Sequence, residues 1–127
     1  MTLASPVRDS RGGVTFLDAS ETAATADLDG AWSSSILDCR DLREKLLYFR
    51  STANVAITVK VMSLRTAGDA APMQIGGDIS LGDGSVTATT NWMHVTDHHP
   101  FIRIDVTSGG AAGSGSLVVT ASGKGAI

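Results

Sequence analysis

A single cysteine, Cys39, leaves this chain of 127 residues no internal disulfide to form. That excludes a small secreted scaffold held by bridges and points to synthesis in a reducing compartment. No base or second nucleophile neighbours it in sequence, so Cys39 reads as a small buried thiol rather than a reactive one. Charge is also scarce, at 18% of residues with a formal net charge of −3. The ten Lys and Arg are dispersed apart from Arg40, Arg43, Lys45 and Arg50, and Asp38, Asp41 and Glu44 are interspersed among those four. A concentrated basic face is therefore lacking, which argues against nucleic acid as a partner, and the four cations read as members of local ion pairs that aid solubility. No apolar run approaches the length needed to span a bilayer, and Met1–Asp9 has neither the basic start nor the apolar stretch of a signal peptide. The expectation is a soluble protein with no membrane partner.

What the chain does contain is alternation. From Val55 to Val61 every odd position is β-branched and apolar while Thr58 and Lys60 point the other way, the period of a half-buried strand. Similar segments recur between clusters of Gly, Asp and Ser. Val14–Asp18, Ser34–Cys39 and Lys45–Arg50 read as strands, with Asp29-Gly30 as a turn and Asp41–Glu44 as another. Ser51–Asn54 has the length and polarity of a hairpin loop, which would pair the strand at 45–50 with the strand at 55–63 at the centre of one sheet. The middle third offers weaker strands at Met73–Ile75, Ile79–Leu81 and Ser85–Thr90, separated by Gly76-Gly77 and Gly82-Asp83-Gly84 as turns. Trp92–Thr96, Phe101–Thr107 and Ser116–Ser122 close the chain, the last two joined by a Gly/Ser-rich tip at 108–115. Short strands at this spacing predict an all-β fold, a two-layer antiparallel β-sandwich of jelly-roll type. Residues 1–13 lack periodicity and read as an extended N-terminal arm, with 14–127 as a single sandwich domain.

Few residues point to chemistry. His94, His98 and His99 lie near Asp97, a ligand set that transition metals accept, but no finger or helical spacing matches and neighbours in a loop before Pro100 point in different directions. They read as solvated loop histidines or intersubunit contacts, and no metal or cofactor is expected. There is no G-x-S-x-G elbow, no phosphate-binding glycine loop leading into a helix, and no carboxylate pair that the sequence brings together, so no catalytic residue is assigned and no enzyme is expected. Trp32 and Trp92 are the candidates for a flat carbohydrate-binding platform. With so few aromatics in the chain the simpler role for both is packing, and solvent exposure of either one separates the two readings.

The order of segments carries a resemblance. An early strand, then Ser34-Ser35-Ile36-Leu37-Asp38-Cys39-Arg40, Lys45-Leu46-Leu47-Tyr48-Phe49-Arg50, the strand at 55–63, Pro100-Phe101-Ile102-Arg103-Ile104-Asp105-Val106-Thr107, a Gly/Ser hairpin and Ser116-Leu117-Val118-Val119-Thr120 together resemble the small β-sandwich proteins of tailed-bacteriophage virions. That family includes capsid decoration proteins and related head or tail accessory subunits. The resemblance implies a role by contact and no catalytic residues. Its expected partners are the major capsid protein or other virion subunits, together with copies of the chain itself, often as a trimer, and its expected place is the particle exterior after synthesis in the host cytoplasm. A carbohydrate-binding module is the runner-up from a different class, and a tail, neck or fibre subunit is the other alternative.

Overall fold

The computed structural model describes residues 7–8, 14–96 and 98–126. Ten strands follow in order, β1 (Val7–Arg8), β2 (Val14–Ala23), β3 (Asp29–Ser33), β4 (Leu37–Asp38), β5 (Glu44–Ser51), β6 (Ile57–Leu64), β7 (Met73–Leu81), β8 (Thr89–Val95), β9 (Phe101–Ala111) and β10 (Leu117–Ala126). A single 3-10 turn, Thr25–Asp27, links β2 to β3, and the Asp27 carboxylate accepts from the Ala24 N–H at 2.9 Å. The first sheet runs β1-β2-β10-β5-β8 and the second β3-β9-β6-β7, with β4 also pairing with β9. All pairings are antiparallel. Set aside the two-residue β1 and β4, and the remaining strands pass between the two sheets in the order of a jelly roll, as the alternation predicts.

Alternation decides which side chains fill the space between the sheets. In β5 the odd positions Lys45, Leu47, Phe49 and Ser51 are buried while Glu44, Tyr48 and Arg50 are exposed. Leu117, Val119 and Ala121 of β10 join them from the same sheet. Val59, Val61, Ile104 and Val106 face them from the second, where Val59 opposes Val106 and Val61 opposes Ile104. Phe49 is the one aromatic in the buried cluster among the described residues, so branched aliphatics fill the core. Each large side chain buried there contributes about 1.5–3 kcal/mol.

The connection 51–54 is not a hairpin. It carries the chain from β5 in the first sheet to β6 in the second, and each of these strands is an inner strand of its own sheet. Backbone pairing explains the crossing: the Thr52 N–H donates to Ser116 O at 2.9 Å, the Ala53 N–H to Ser51 Oγ at 3.2 Å, and the Gly84 N–H to Ala53 O at 2.8 Å. Ala53 is fully buried, a small plug where the sheets meet. A loop committed to two other segments, at Ser116 and at Gly84, cannot also fold β6 back against β5.

Other expected turns prove to be irregularities inside strands. Asp29-Gly30 opens β3, and the register against β9 shifts between Asp29 and Ala31. Gly76-Gly77 lies within one continuous β7. Val59 opposes Ile79 and Val61 opposes Ile75, so the extra residues form a bulge, and Gly76 supplies the positive φ of 65° that it needs. The strand expected at 85–90 shrinks to its last two residues, because the Asp83 carboxylate accepts from the Ser85 N–H at 2.9 Å and folds the chain away, leaving Val86 97% exposed. The strand expected at 34–39 is only Leu37–Asp38. Before it, the Ser34 N–H donates to Ile104 O, and the Ser35 N–H donates to buried Glu21 at 3.0 Å, bending the chain across the end of the sandwich. Conversely β2, β9 and β10 run longer than their apolar cores predicted, and the flexible tip contracts to 112–116. Most of the proposed arm at 1–13 lies outside the described residues, and Val7–Arg8 pairs with Phe16 and Thr15 of β2.

Candidate binding face

The outer faces of the two sheets differ in kind. On the second sheet the charged side chains engage one another. Arg103 makes a bidentate pair with Asp105 at 2.7 and 2.9 Å while Ser33 Oγ donates to the same carboxylate at 2.8 Å, and Asp78 accepts from Gln74 at 2.8 Å with Lys60 Nζ 3.6 Å away. Partial burial raises the Asp105 carboxyl, and the hydrogen bonds from Arg103 and Ser33 outweigh it, so that the group titrates below its ordinary range. Asp78 is lowered too, first by the Gln74 hydrogen bond and then by Lys60. This face is satisfied by its own partners.

The outer face of the first sheet is different. Even-numbered residues of β5 and β8 point outward, and register places Tyr48 directly opposite Trp92, with Thr120 of β10 on the other side of Tyr48. Tyr48 is 48% exposed and Trp92 57%. Directly opposed residues on neighbouring strands are separated by roughly 5 Å, so the two aromatic side chains stand side by side at the edge of the sheet. The adjoining row holds Ser122, Leu46 and His94, and the row beyond the aromatics holds Val118, Arg50 and Thr90. Next to the pair the face dips into an open depression of about 610 Å³, lined by Asp18, Glu44, Leu46, His94, Ser122 and Lys124. Among the described residues the side chains of Arg50, Thr90, His94 and Thr120 have no hydrogen bond or ion pair.

Only one of the two tryptophans fits the sequence-based platform. Trp32 opposes Val106, a core residue, so it points inward from edge strand β3 and packs half-buried against the core. The exposed partner of Trp92 is instead Tyr48, which in the sequence had served only to mark Lys45–Arg50 as a strand. The available signal was parity, since Tyr48 is out of phase with Leu47 and Phe49.

The histidines do not converge. His94 is exposed on the outer face of the first sheet, His98 is exposed in the following loop, and His99 Nδ1 lies 2.8 Å from Ser63 Oγ of the second sheet. Asp97 lies outside the described residues. Among the described residues no group of three or more His, Cys, Asp or Glu side chains is arranged to hold a metal ion.

The basic cluster also comes apart. Arg40 makes a bidentate pair with Asp38 and lies over the Phe101 ring, 5.3 Å from its centroid, while Arg50 stands at the far end of β5. Lys45, expected on the surface, is 1% exposed because the parity of β5 turns it inward. Cys39 is fully buried, and desolvation pushes its thiol up to about 12 against a smaller opposing effect of Lys45.

No protein-family model and no curated protein matches this chain. Solved structures do. The chain is similar over 98% of its length to the PBSX exported protein XepA, at 15% identity and a TM-score of 0.56, and spans 40% of that protein. It is similar over its whole length to 99% of a protein of the Bacillus endospore appendages, which form a novel family of disulfide-linked pili, at 12% identity and a TM-score of 0.52. A CBM4 structure aligns over 96% of this chain and 76% of its own at 13% identity, with a TM-score of 0.48. The likeness to XepA and to the appendage protein establishes a shared β-sandwich fold.

Proposed function

We propose that this chain is a non-enzymatic virion structural protein of a tailed bacteriophage, a capsid decoration subunit that adds to the outside of an assembled head and stabilises it. The observation that carries the reading is the outer edge of β2. Val7 and Arg8 pair with that edge, opposite Phe16 and Thr15, so a segment of the N-terminal arm already lies there as an added strand. In this reading the arm pairs in the same way with an exposed sheet edge of a shell subunit, gaining main-chain hydrogen bonds without any change in the core. Further support comes from the resemblance in strand order, and from a fold shared with a PBSX exported protein and with an appendage-forming protein. Each contact of this size is weak, but repetition over a lattice makes modest affinity effective.

Absolute mass by light scattering coupled to size-exclusion chromatography, over a range of concentrations, tests this reading. A discrete species, monomer or trimer, is the expected result for a subunit that joins a preformed shell. Open-ended polymers or rings growing with concentration would overturn it in favour of a self-assembling tube or shell subunit. Deleting residues 1–12 should abolish binding to heads assembled without the protein while leaving circular dichroism and melting nearly unchanged.

A further inference from the structure

We infer that the outer face of the first sheet is a binding site for a neutral saccharide chain, with Trp92 and Tyr48 as its stacking platform. This site is separate from the β2 edge and does not depend on the role proposed for it.

The size of the apolar patch selects the ligand. Aromatic side chains bury roughly 150–250 Å² each, so at 57% and 48% exposure Trp92 and Tyr48 together offer about 200 Å². A stable protein interface needs roughly 800 Å² from each partner. The patch is therefore about a quarter of what a second protein requires, but it matches the apolar C–H face of one or two pyranose rings.

The surroundings select the same class. A pyranose is apolar on its faces and ringed with hydroxyls, so its site needs a flat aromatic floor bordered by hydrogen-bonding groups. Here the floor is bordered by Thr90 and Arg50 on one side, His94 on the other and Thr120 beyond Tyr48, all with side chains available for bonding. Successive rings of the chain would run across the strands, from Trp92 at the edge over Tyr48 towards Thr120. The depression of about 610 Å³ beside the pair is within the size range of small-ligand sites, roughly 300–1,000 Å³. It has two carboxylates, Asp18 and Glu44, and two lysines, Lys45 and Lys124, on its walls. That mixture of signs gives no preference for a charged sugar and supplies acceptors and donors for hydroxyls.

Intrinsic tryptophan fluorescence and isothermal calorimetry of the full chain, titrated with cellohexaose, xylohexaose, mannohexaose and chitohexaose, test the inference. At least one of these should bind saturably and perturb the fluorescence, since Trp92 is the exposed indole. Trp92→Ala and Tyr48→Ala should each weaken binding roughly tenfold or more, and Trp92→Phe should restore most of it, because stacking needs a ring and not the indole N–H. Both side chains are on the surface, so circular dichroism should be unchanged in every variant. Absence of binding by all four oligosaccharides overturns the inference, as does full binding by the Trp92→Ala/Tyr48→Ala double variant. Sedimentation showing that the chain self-associates and that Trp92→Ala abolishes this would also overturn it, assigning the face to a second copy instead.

Discussion

Gly84→Ala should be among the most damaging single-methyl additions in this protein, and Gly82→Ala, two residues away in the same loop, should be harmless. A Cβ built on Gly84 would lie 2.1 Å from Ser51 O, 2.8 Å from Ser51 C and 3.1 Å from Thr52 Cα, all backbone atoms of the crossing between the sheets. Comfortable contact distances are roughly 3.5 Å, so one segment must move by more than 1 Å. Neither is free to do so. Thr52 and Ala53 are hydrogen-bonded to Ser116 and Ser51, and the Gly84 N–H itself donates to Ala53 O at 2.8 Å. Overpacking of this kind costs about 1–3 kcal/mol and the strained or broken hydrogen bond about 1 more, giving roughly 2–4 kcal/mol. For a domain of this size that lowers Tm by about 8–15 °C. At Gly82 nothing lies within 4 Å of the added methyl, and the change should be neutral or stabilising by up to about 1 kcal/mol through the unfolded chain. Urea unfolding followed by far-ultraviolet circular dichroism measures both. A Gly84→Ala protein within about 0.5 kcal/mol of the parent would mean that the crossing is loosely held, and the account of why β6 leaves the sheet of β5 would fall with it.

Two titratable groups give predictions of opposite sign. The Asp69 carboxylate accepts from the Arg65 guanidinium and from the Ala71 and Arg65 N–H groups, which holds its carboxyl well below the ordinary value of 3.8. Its contribution to stability is therefore present above about pH 4 and lost as pH falls below it. Asp69→Asn should be less stable than the parent at pH 6, with the gap in melting temperature closing towards pH 2; a gap that stays constant would refute the assignment. Cys39 behaves in the other direction, since burial pushes its thiol up from 9.0 to about 12: its contribution to folding is fully present below about pH 9 and is lost as pH rises from there towards about 12. A thiol reagent at pH 8 should leave Cys39 unmodified in the native protein for hours and titrate one group per chain in denaturant. Rapid native modification would show that the end of the sandwich opens.

The parts of this fold that were legible in the sequence are those in which burial and period agree. β5, β6 and β9 alternate cleanly because each is an inner strand with one face on a branched aliphatic core, and Leu47, Phe49, Val59, Val61, Ile102 and Ile104 could each be assigned to the buried face by parity. The illegible parts depend on partners remote in sequence. Four polar residues at 51–54 have the length of a hairpin or of a crossing, and what decides between them is pairing with Ser116 and Gly84, over thirty residues away. Gly76-Gly77 looks the same to a local reading whether it ends a strand or bulges within one, because the outcome depends on β6 alongside. The binding face has the same character. Trp92 was visible as a candidate, but Tyr48 becomes its neighbour only because the jelly-roll order sets β8 beside β5, with that register and not one residue off. A one-residue slip of β8 against β5 would set Trp92 among inward-facing side chains, with Tyr48 alone on the outer face. The platform is thus a product of strand order and register rather than of any local motif, and no scan for spaced aromatic residues could have assembled it.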